Sequence, residues 1–194
     1  SWDHDGRREI YEKAELSHED HLFLVDECRA NNIGFMTSVF SIDDAKYIKS
    51  LGCSIVKIPS FESTNLELLT YCAHSFDNVI LSTGASTFSE IADSVKLFER
   101  NQLVIMHCVS TYPCSIENIN LPRIKKLAEL GYPIGFSDHT QGIHASLASL
   151  FFGVEYIERH FTVDHDLPGR DNKFAILPHE FSELSSSIDN FVLS

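Results

Sequence analysis

Two histidines lie at the C-terminal ends of two consecutive strand-like segments, where they could bind a divalent metal ion. His139 lies in GFSDHTQGIH and His160 in EYIERHF, and a helical pattern over 142–152 separates the two segments. Neutral imidazoles with open coordination positions suit Mn²⁺, Co²⁺, Fe²⁺ or Zn²⁺, with water or substrate oxygen as further ligands. Residues i and i+2 of a strand share a face, so Glu158 is expected to point the same way as His160. The alternative is a polar turn with two hydrogen-bonding histidines. His144 falls inside the helical pattern, where a surface or packing role is expected.

Two further segments place polar groups after apolar runs. Lys57 interrupts the run SIVKIP and is followed by Ser60 and Glu62, which predicts an anion site; a lysine that merely reaches solvent is the alternative. LSTGAST offers the hydroxyls of Ser82 and Thr83 next to a glycine and a helix start. This segment predicts either a phosphate-binding loop or a simple helix cap.

The polar loop DLPGRDNK follows the last strand-like segment, a place where barrels position substrate contacts. Arg170, Asp171 and Lys173 are its candidate binding residues, and a solvent-exposed turn is the alternative. The sequence contains no GxxxxGK[ST], GxGxxG or GxSxG motif. The sequence therefore gives no support for nucleotide hydrolysis, for dinucleotide-dependent hydride transfer, or for hydrolysis by a serine nucleophile of the α/β-hydrolase type.

These residues must be positioned by alternating strands and helices. The predicted strands cover 33–38, 54–59, 78–82, 103–108, 133–137 and 155–161. The predicted helices cover 17–31, 41–51, 64–74, 87–100, 121–130, 142–152 and 178–191. This alternation predicts an α/β protein with parallel strands joined by crossover helices.

The distribution of reactive groups favours a closed barrel over an open sheet. Nearly every predicted strand ends in such groups, and all of them can face one ligand only if the sheet curls. We therefore predict a (β/α)8 TIM barrel. Six βα units are predicted where eight are needed, so we expect the first two units to be missing from this sequence. Either the chain is a fragment of a longer one, or a partner supplies the remaining strands.

The composition is that of a globular protein with a substantial core. Of 194 residues, 43% are hydrophobic, and 28 acidic against 15 basic residues give a net charge of -13. That charge argues against nucleic acid or an anionic membrane surface as a partner. No stretch is long and apolar enough for a membrane span, and the first ten residues do not resemble a signal peptide. Five cysteines without a CxxC pair are expected to be reduced thiols, which predicts a cytoplasmic protein.

Six blocks in order resemble the sialic acid synthase family, which makes nonulosonic acids from phosphoenolpyruvate and an N-acetylated amino sugar. The blocks are KIPSFESTN, ILSTGAST, HCVSTYP, GFSDHTQGI, IERHFT and PGRDNKFAILPHEF, and the resemblance covers nearly the whole chain, 1–194. It implies a partial TIM barrel domain, a homodimer in the full-length protein, and a divalent metal, commonly Mn²⁺, with Mg²⁺ or Co²⁺ as alternatives. The family's small antifreeze-like C-terminal domain has no counterpart here.

The resemblance also implies roles for individual residues. It makes His139 and His160 the metal ligands and Glu158 the carboxylate beside the metal. Matching phosphoenolpyruvate positions are Lys57, Ser60, Ser82 and Ser137. Matching sugar positions are Glu62, Tyr112, Asp171 and Ser110, the last standing where asparagine is common. In the implied reaction, the metal polarises the sugar aldehyde while the phosphoenolpyruvate carbon attacks it. Water then adds, and phosphate leaves with C–O cleavage.

Several departures from the family pattern leave alternatives open. GRDNK replaces the usual Gly-Pro-Asp, TSVFSIDD lacks the usual Pro-Phe-Asp, and the strands that carry a further glutamate and lysine have no counterpart. These changes suggest altered sugar specificity. The alternatives are a noncatalytic homologue that retains metal binding or an assembly role, and another phosphoenolpyruvate-dependent sugar-acid synthase.

Overall fold

The computed structural model describes residues 7–193, and the chain divides after Met36 into two compact units. The first unit contains helices α1 (Arg7–Ala14) and α2 (His18–Ala30). Ser17 caps α2: its hydroxyl accepts from the Asp20 amide at 3.1 Å, and the Asp20 carboxylate accepts from the Ser17 amide at 2.9 Å. This reciprocal pair satisfies two amides that the helix itself leaves free. Helix α1 precedes the first predicted element, the helix over 17–31, and was not predicted.

The second unit contains five parallel strands that are hydrogen-bonded in chain order. They are β1 (Ile55–Ile58), β2 (Asn78–Ser82), β3 (Leu103–Cys108), β4 (Ile134–Asp138) and β5 (Tyr156–Arg159). The helices are α3 (Ile42–Ser50), α4 (Leu66–Ser75), α5 (Phe88–Ser94), α6 (Pro122–Ala128), α7 (His144–Leu150) and α8 (Pro178–Val192). Short 3₁₀ turns span Ser60–Glu62, Val95–Leu97, Ile116–Asn118 and Asp171–Lys173. The predicted α/β alternation is confirmed.

The predicted strand over 33–38 is wrong. In place of a strand there is a single parallel bridge between Ser38 and Lys57, flanked by hydrogen bonds of Thr37 and Val39 to Lys57. Only one residue of this short apolar run is paired with a neighbouring strand. Its composition is typical of a strand, but a strand also requires a ladder of hydrogen-bonded residues. A second parallel bridge, between Phe161 and Ile176, lies after the end of β5 and was not predicted.

The core lies on both faces of the central strands. Every residue of β3 and β4 is buried, as expected for parallel strands covered by helices. The helices contribute fully buried side chains to this core, among them Leu68, Leu69, Ile91, Ile124 and Leu127. Because β3 and β4 are buried in this apolar core, their sequences are nearly continuous hydrophobic runs.

The sheet is curled into a half barrel. β1 and β5 lie at its opposite edges, and four strand spacings would separate them by about 19 Å in a flat sheet. The Lys57 ammonium on β1 nevertheless lies 2.6 Å from the Glu158 carboxylate on β5. Only strong curvature brings these side chains together. The curled parallel sheet agrees with the predicted barrel type.

Two other features bear on the predictions. None of the helices within 7–193 is long and apolar enough to cross a membrane. The five cysteines are free thiols.

Candidate active site

A connected set of polar side chains lies inside the curve of the sheet. Glu158 accepts from the Lys57 ammonium and from the Ser137 hydroxyl, each at 2.6 Å. The Ser137 oxygen also lies 3.2 Å from Nε2 of His139. Lys57, Ser137 and Glu158 project from strands β1, β4 and β5, and register places Ser137 directly beside Glu158. The curved sheet thus joins four predicted site residues from three separate segments of the sequence.

Glu158 is held in its charged form. Burial by itself would raise the pKa of this carboxyl, but attraction to Lys57 and the hydrogen bonds from Lys57 and Ser137 outweigh it, so the pKa is lowered. The two side chains of the ion pair are 19% and 30% exposed, for Lys57 and Glu158 respectively. Because Glu158 already neutralises Lys57, the pair adds no net positive charge to the site.

Hydrogen bonding orients the ring of His139. Its Nδ1 lies 2.8 Å from the Val109 carbonyl, which can only accept, so Nδ1 carries the proton. In the neutral ring, Nε2 is then left with a free lone pair. Backbone partners of this kind fix the tautomer of metal-binding histidines. The Ser137 hydroxyl has a single proton to donate. It donates this proton to Glu158 at 2.6 Å, because its contact with Nε2 of His139 is longer, at 3.2 Å.

His160 lies beside His139 in a partly aromatic enclosure. The two imidazole centroids are 5.4 Å apart. Tyr112 contacts both rings, at centroid distances of 4.3 Å to His139 and 5.8 Å to His160. Phe174 packs edge-on against His160 at 5.1 Å, and Nδ1 of His160 lies 3.5 Å from the Asp171 carboxylate. The last distance is long for a hydrogen bond, so Asp171 acts on this ring mainly through its charge.

Both imidazoles are kept neutral by burial. Loss of hydration lowers the pKa of His139 and of His160, and it outweighs the opposing effects of the Val109 carbonyl on His139 and of the Asp171 and Glu158 charges on His160. A neutral imidazole is the form that binds a metal ion. The site therefore offers two neutral nitrogen ligands in the physiological pH range.

These pKa shifts predict a loss of stability in acid. Well above the ordinary histidine pKa of about 6.5, both histidines are neutral in the folded and unfolded protein. As the pH falls below that value, the unfolded chain takes up protons first, so the free energy of unfolding decreases until the folded histidines also protonate. Glu158, also with a lowered pKa, adds a second loss that begins near its ordinary value of 4.5. Urea unfolding between pH 7.5 and 4 measures the effect.

The control for this pH dependence is His139→Asn, whose amide can still donate to the Val109 carbonyl. We expect a shallower decrease between pH 6.5 and 5.5 in this variant than in the wild type, because one of the titrating groups is gone. An identical slope in both proteins would contradict the assigned shift of His139.

The donor set fits a divalent metal ion only in part. Two imidazoles with an adjacent carboxylate suit a borderline ion. Within residues 7–193, however, no group of three or more His, Cys, Asp or Glu side chains converges as a complete metal site. An ion held by His139 and His160 would therefore keep several positions for water or substrate.

A second group of polar side chains surrounds the turn after β2. The Ser60 oxygen accepts from the Gly84 amide at 3.0 Å and lies 3.3 Å from Sγ of Cys108. A methyl group on Gly84 would come within 2.4 Å of the Ser110 hydroxyl and 2.8 Å of the same sulfur. Glycine is thus needed for this close approach. Ser60 and Ser110, both predicted substrate contacts, are brought to one turn.

The remaining predicted residues are less closely joined. Ser82 is buried at the end of β2, and Thr83 donates to the Met106 carbonyl at 2.9 Å. The Glu62 carboxylate accepts from Asn65 at 2.8 Å, a local contact ahead of α4. Arg170 and Lys173 are exposed. His144 is the exposed first residue of α7, as predicted.

Sequence reasoning missed several residues that support the site. Arg123 donates to the carbonyls of Thr83 and Ser86 at 3.3 and 2.9 Å, which fixes the turn around Gly84. Asp138 and Arg159 form a buried ion pair behind the histidines. Both charges occupy strand positions that face away from the site, where apolar residues are usual, and this pattern was the available signal.

The fold and the site together define a class of protein. It is a parallel α/β protein of the barrel type whose charged and imidazole groups gather at the carboxyl ends of the strands, where barrel enzymes place their active sites. The sequence profile of the NeuB family matches residues 1–194. The chain belongs to the NeuB family, and the resemblance to sialic acid synthases is confirmed.

Known proteins agree with this assignment. N,N'-diacetyllegionaminic acid synthase of Legionella pneumophila is 38% identical, over 93% of this chain and 53% of its own length. Pseudaminic acid synthase of Helicobacter pylori is 33% identical, over 100% of this chain and 58% of its own length. The chain thus spans about half the length of these curated relatives.

A solved structure is also closely similar. The crystal structure of N-acetylneuraminic acid synthetase from Leptospira borgpetersenii, in complex with citrate, superposes with a TM-score of 0.89. The two are 34% identical in sequence, and the match covers 94% of this chain and 65% of the other. At this similarity the shared region has the same fold.

Proposed function

We propose that this chain provides part of the active site of a nonulosonic acid synthase. The reaction would condense phosphoenolpyruvate with an N-acetylated amino sugar similar to N-acetylmannosamine and release phosphate. The observation that carries the proposal is the convergence of Lys57, Glu158, Ser137 and His139 across the curled sheet. Membership of the NeuB family and the names of the relatives agree with this chemistry.

His139 and His160 would hold one divalent metal ion, with Mn²⁺ proposed ahead of Mg²⁺ or Co²⁺. Bound there, the ion would supply Lewis-acid polarisation of the aldehyde oxygen of the open-chain sugar. With Lys57 paired to Glu158 and both histidines neutral, this part of the site carries no surplus positive charge of its own. A cation is therefore well suited to a site that must accept anionic phosphoenolpyruvate.

Lys57 is proposed to bind the phosphoenolpyruvate anion. Its ammonium can keep the bond to Glu158 and still donate to a second acceptor, because a lysine has three donors. The hydroxyls of Ser60, Ser82 and Ser137 are proposed to hold the phosphate and carboxylate oxygens. Ser137 donates to Glu158 in the structure, so its bond would have to be exchanged or extended when the substrate binds.

The sugar is proposed to bind on the side of Tyr112 and Asp171. Tyr112 contacts both imidazoles and is 51% exposed, so part of it is accessible to a ligand. Asp171 lies beside His160 at the start of a 3₁₀ turn. Glu62 and Ser110 are proposed as further sugar contacts, and Ser110 as a residue that alters sugar specificity.

A coupled phosphate-release assay with phosphoenolpyruvate, Mn²⁺ and N-acetylmannosamine tests the proposal. It should be run on this chain and on the full-length product of its gene. Phosphate release that requires both the sugar and the metal supports the proposal. Absence of release with any of several N-acetylated sugars, from folded protein, would favour a noncatalytic homologue.

The other enzyme class has its own test. A synthase that makes an octulosonate or heptulosonate would use an unacetylated aldose phosphate. Release with such acceptors, and none with N-acetylated sugars, would replace the proposed substrate class while leaving phosphoenolpyruvate chemistry in place.

We also propose that further βα units close the half barrel in the full-length protein. β1 and β5 form the two edges of a strongly curled sheet, and edge strands expose unpaired backbone groups. Closure would remove both edges and surround the polar set on all sides. On the basis of the family resemblance, we also propose that the full-length protein is a homodimer.

A further inference from the structure

A buried ion pair lies directly behind the two histidines. The β4–β5 register places Asp138 beside Arg159, and their side chains are 0% and 3% exposed. Alternation along the strands sends these side chains to the face opposite Ser137 and Glu158. The pair is therefore separated from the candidate active site by the sheet itself.

Asp138 and Arg159 also hold the backbone that follows His139. The Asp138 carboxylate accepts from the amide and the hydroxyl of Thr140, each at 2.8 Å, and from the Ser146 hydroxyl at 2.6 Å. The Arg159 guanidinium donates to the Thr140 carbonyl at 2.8 Å. His139 thus lies between Asp138, a member of the ion pair, and Thr140, which is hydrogen-bonded to both members of the pair.

The position of this pair matters because of where the sheet ends. Asp138 and Arg159 are the last paired residues of β4 and β5, and each histidine is the next residue along its chain. Beyond that point the strand ladder between β4 and β5 no longer fixes the distance between the two backbones. The ion pair joins the last paired residues of the two strands, directly before the two imidazole rings, whose centroids lie 5.4 Å apart.

Stability alone does not explain such a pair. Burying two charges is costly, and apolar residues of similar volume often stabilise a fold as well or better. The directional contacts of the pair come from its neighbours, since the carboxylate accepts from Thr140 and Ser146 and the guanidinium donates to the Thr140 carbonyl.

We propose that Asp138 and Arg159 are positioning residues that set the spacing of His139 and His160 for a shared divalent metal ion. This inference rests on the proposed function, because it requires that the two histidines bind a metal. Neither residue would touch the ion or the substrate. Their effect would pass through the backbones on which the two imidazoles are carried.

The affinity of the full chain for Mn²⁺, measured by electron paramagnetic resonance and calorimetry, tests this role. Residues that orient metal ligands typically contribute 10- to 100-fold to metal affinity, so we expect a weakening of about that size in Asp138→Asn and Arg159→Met. Arg159→Lys keeps the charge and should recover part of the affinity. Ser146→Ala is the matched control, since it removes a bond to Asp138 from α7 but leaves Thr140 and Arg159 in place.

The outcomes separate this inference from the proposed function. If the wild type does not bind Mn²⁺, the proposed Mn²⁺ site is overturned and the positioning role with it, whereas the phosphate-release assay still decides the proposed reaction. If the wild type binds and folded Asp138→Asn and Arg159→Met bind equally well, only the positioning role is overturned, even when urea unfolding shows that they are less stable. Should both variants fail to fold, Arg159→Lys decides, because lysine keeps the charge but lacks the planar fork that contacts both Asp138 and the Thr140 carbonyl. Weaker Mn²⁺ binding by this variant supports the role, and unchanged binding overturns it.

Discussion

Replacing His139 or His160 by alanine is expected to abolish tight Mn²⁺ binding while leaving the fold intact. Each substitution removes one of two imidazoles whose rings lie 5.4 Å apart, and a site with one remaining nitrogen ligand has little hold on the ion. Loss of a residue that merely orients a ligand costs 10- to 100-fold in metal affinity, so loss of the ligand itself should exceed about 100-fold. Calorimetric titration with Mn²⁺ measures this difference.

The fold should survive because neither ring is central to the apolar core. His139→Ala leaves the Val109 carbonyl without its 2.8 Å donor, which should cost about 1–3 kcal/mol of stability. His144→Ala is the control, since His144 is exposed at the start of α7. Unchanged Mn²⁺ affinity in both site variants would rule out these histidines as ligands.

Lys57→Met is expected to produce the second large effect, a loss of phosphoenolpyruvate binding. The substitution removes the cation opposite Glu158 and leaves a carboxylate facing an anionic substrate. Removing one charged or polar donor from a preorganised anion site typically costs about 10²- to 10³-fold, which we expect in phosphoenolpyruvate affinity or turnover. Titration with phosphoenolpyruvate in the presence of Mn²⁺ measures the binding part of the effect.

The structure provides a closely matched control for this substitution. Lys96 donates to Asp93 at 2.6 Å, the same distance as in the pair of Lys57 with Glu158, but its side chain is 71% exposed on the surface. Lys96→Met should leave phosphoenolpyruvate binding unchanged, because an exposed pair of this kind contributes little. Equal affinity in Lys57→Met and the wild type would remove Lys57 from the anion site.

Lys57→Met should also change the protonation of Glu158. Lys57 is the main cause that lowers the pKa of this carboxyl, and burial acts in the opposite direction. Without the lysine, burial dominates and the pKa should rise. Part of any loss of function would then come from a neutral Glu158, so Glu158→Gln is the useful companion variant.

Local sequence patterns were sufficient for most elements. Capping residues such as Ser17 and Thr87, and apolar runs bounded by turn residues, determine where helices and strands begin. The run over 33–38 shows the limit of this reasoning. Its composition is that of a strand, but strand pairing depends on a neighbouring chain, and only Ser38 pairs with β1.

The sequence by itself determined which residues could do chemistry. Alternation along a strand places Ser137 with His139, and Glu158 with His160, on shared faces, whatever the rest of the fold does. The chemical types of these side chains, and their place at strand ends, were sufficient to predict an anion and metal site.

Only the tertiary structure decided which of these residues meet. The contact between Lys57 and Glu158 spans 101 positions and depends on the curvature of five strands, a property that no single segment encodes. The Asp138–Arg159 pair depends in the same way on the register of β4 with β5. Curvature and register are set by the packing of the whole sheet against its helices, and so they appear only when the chain has folded.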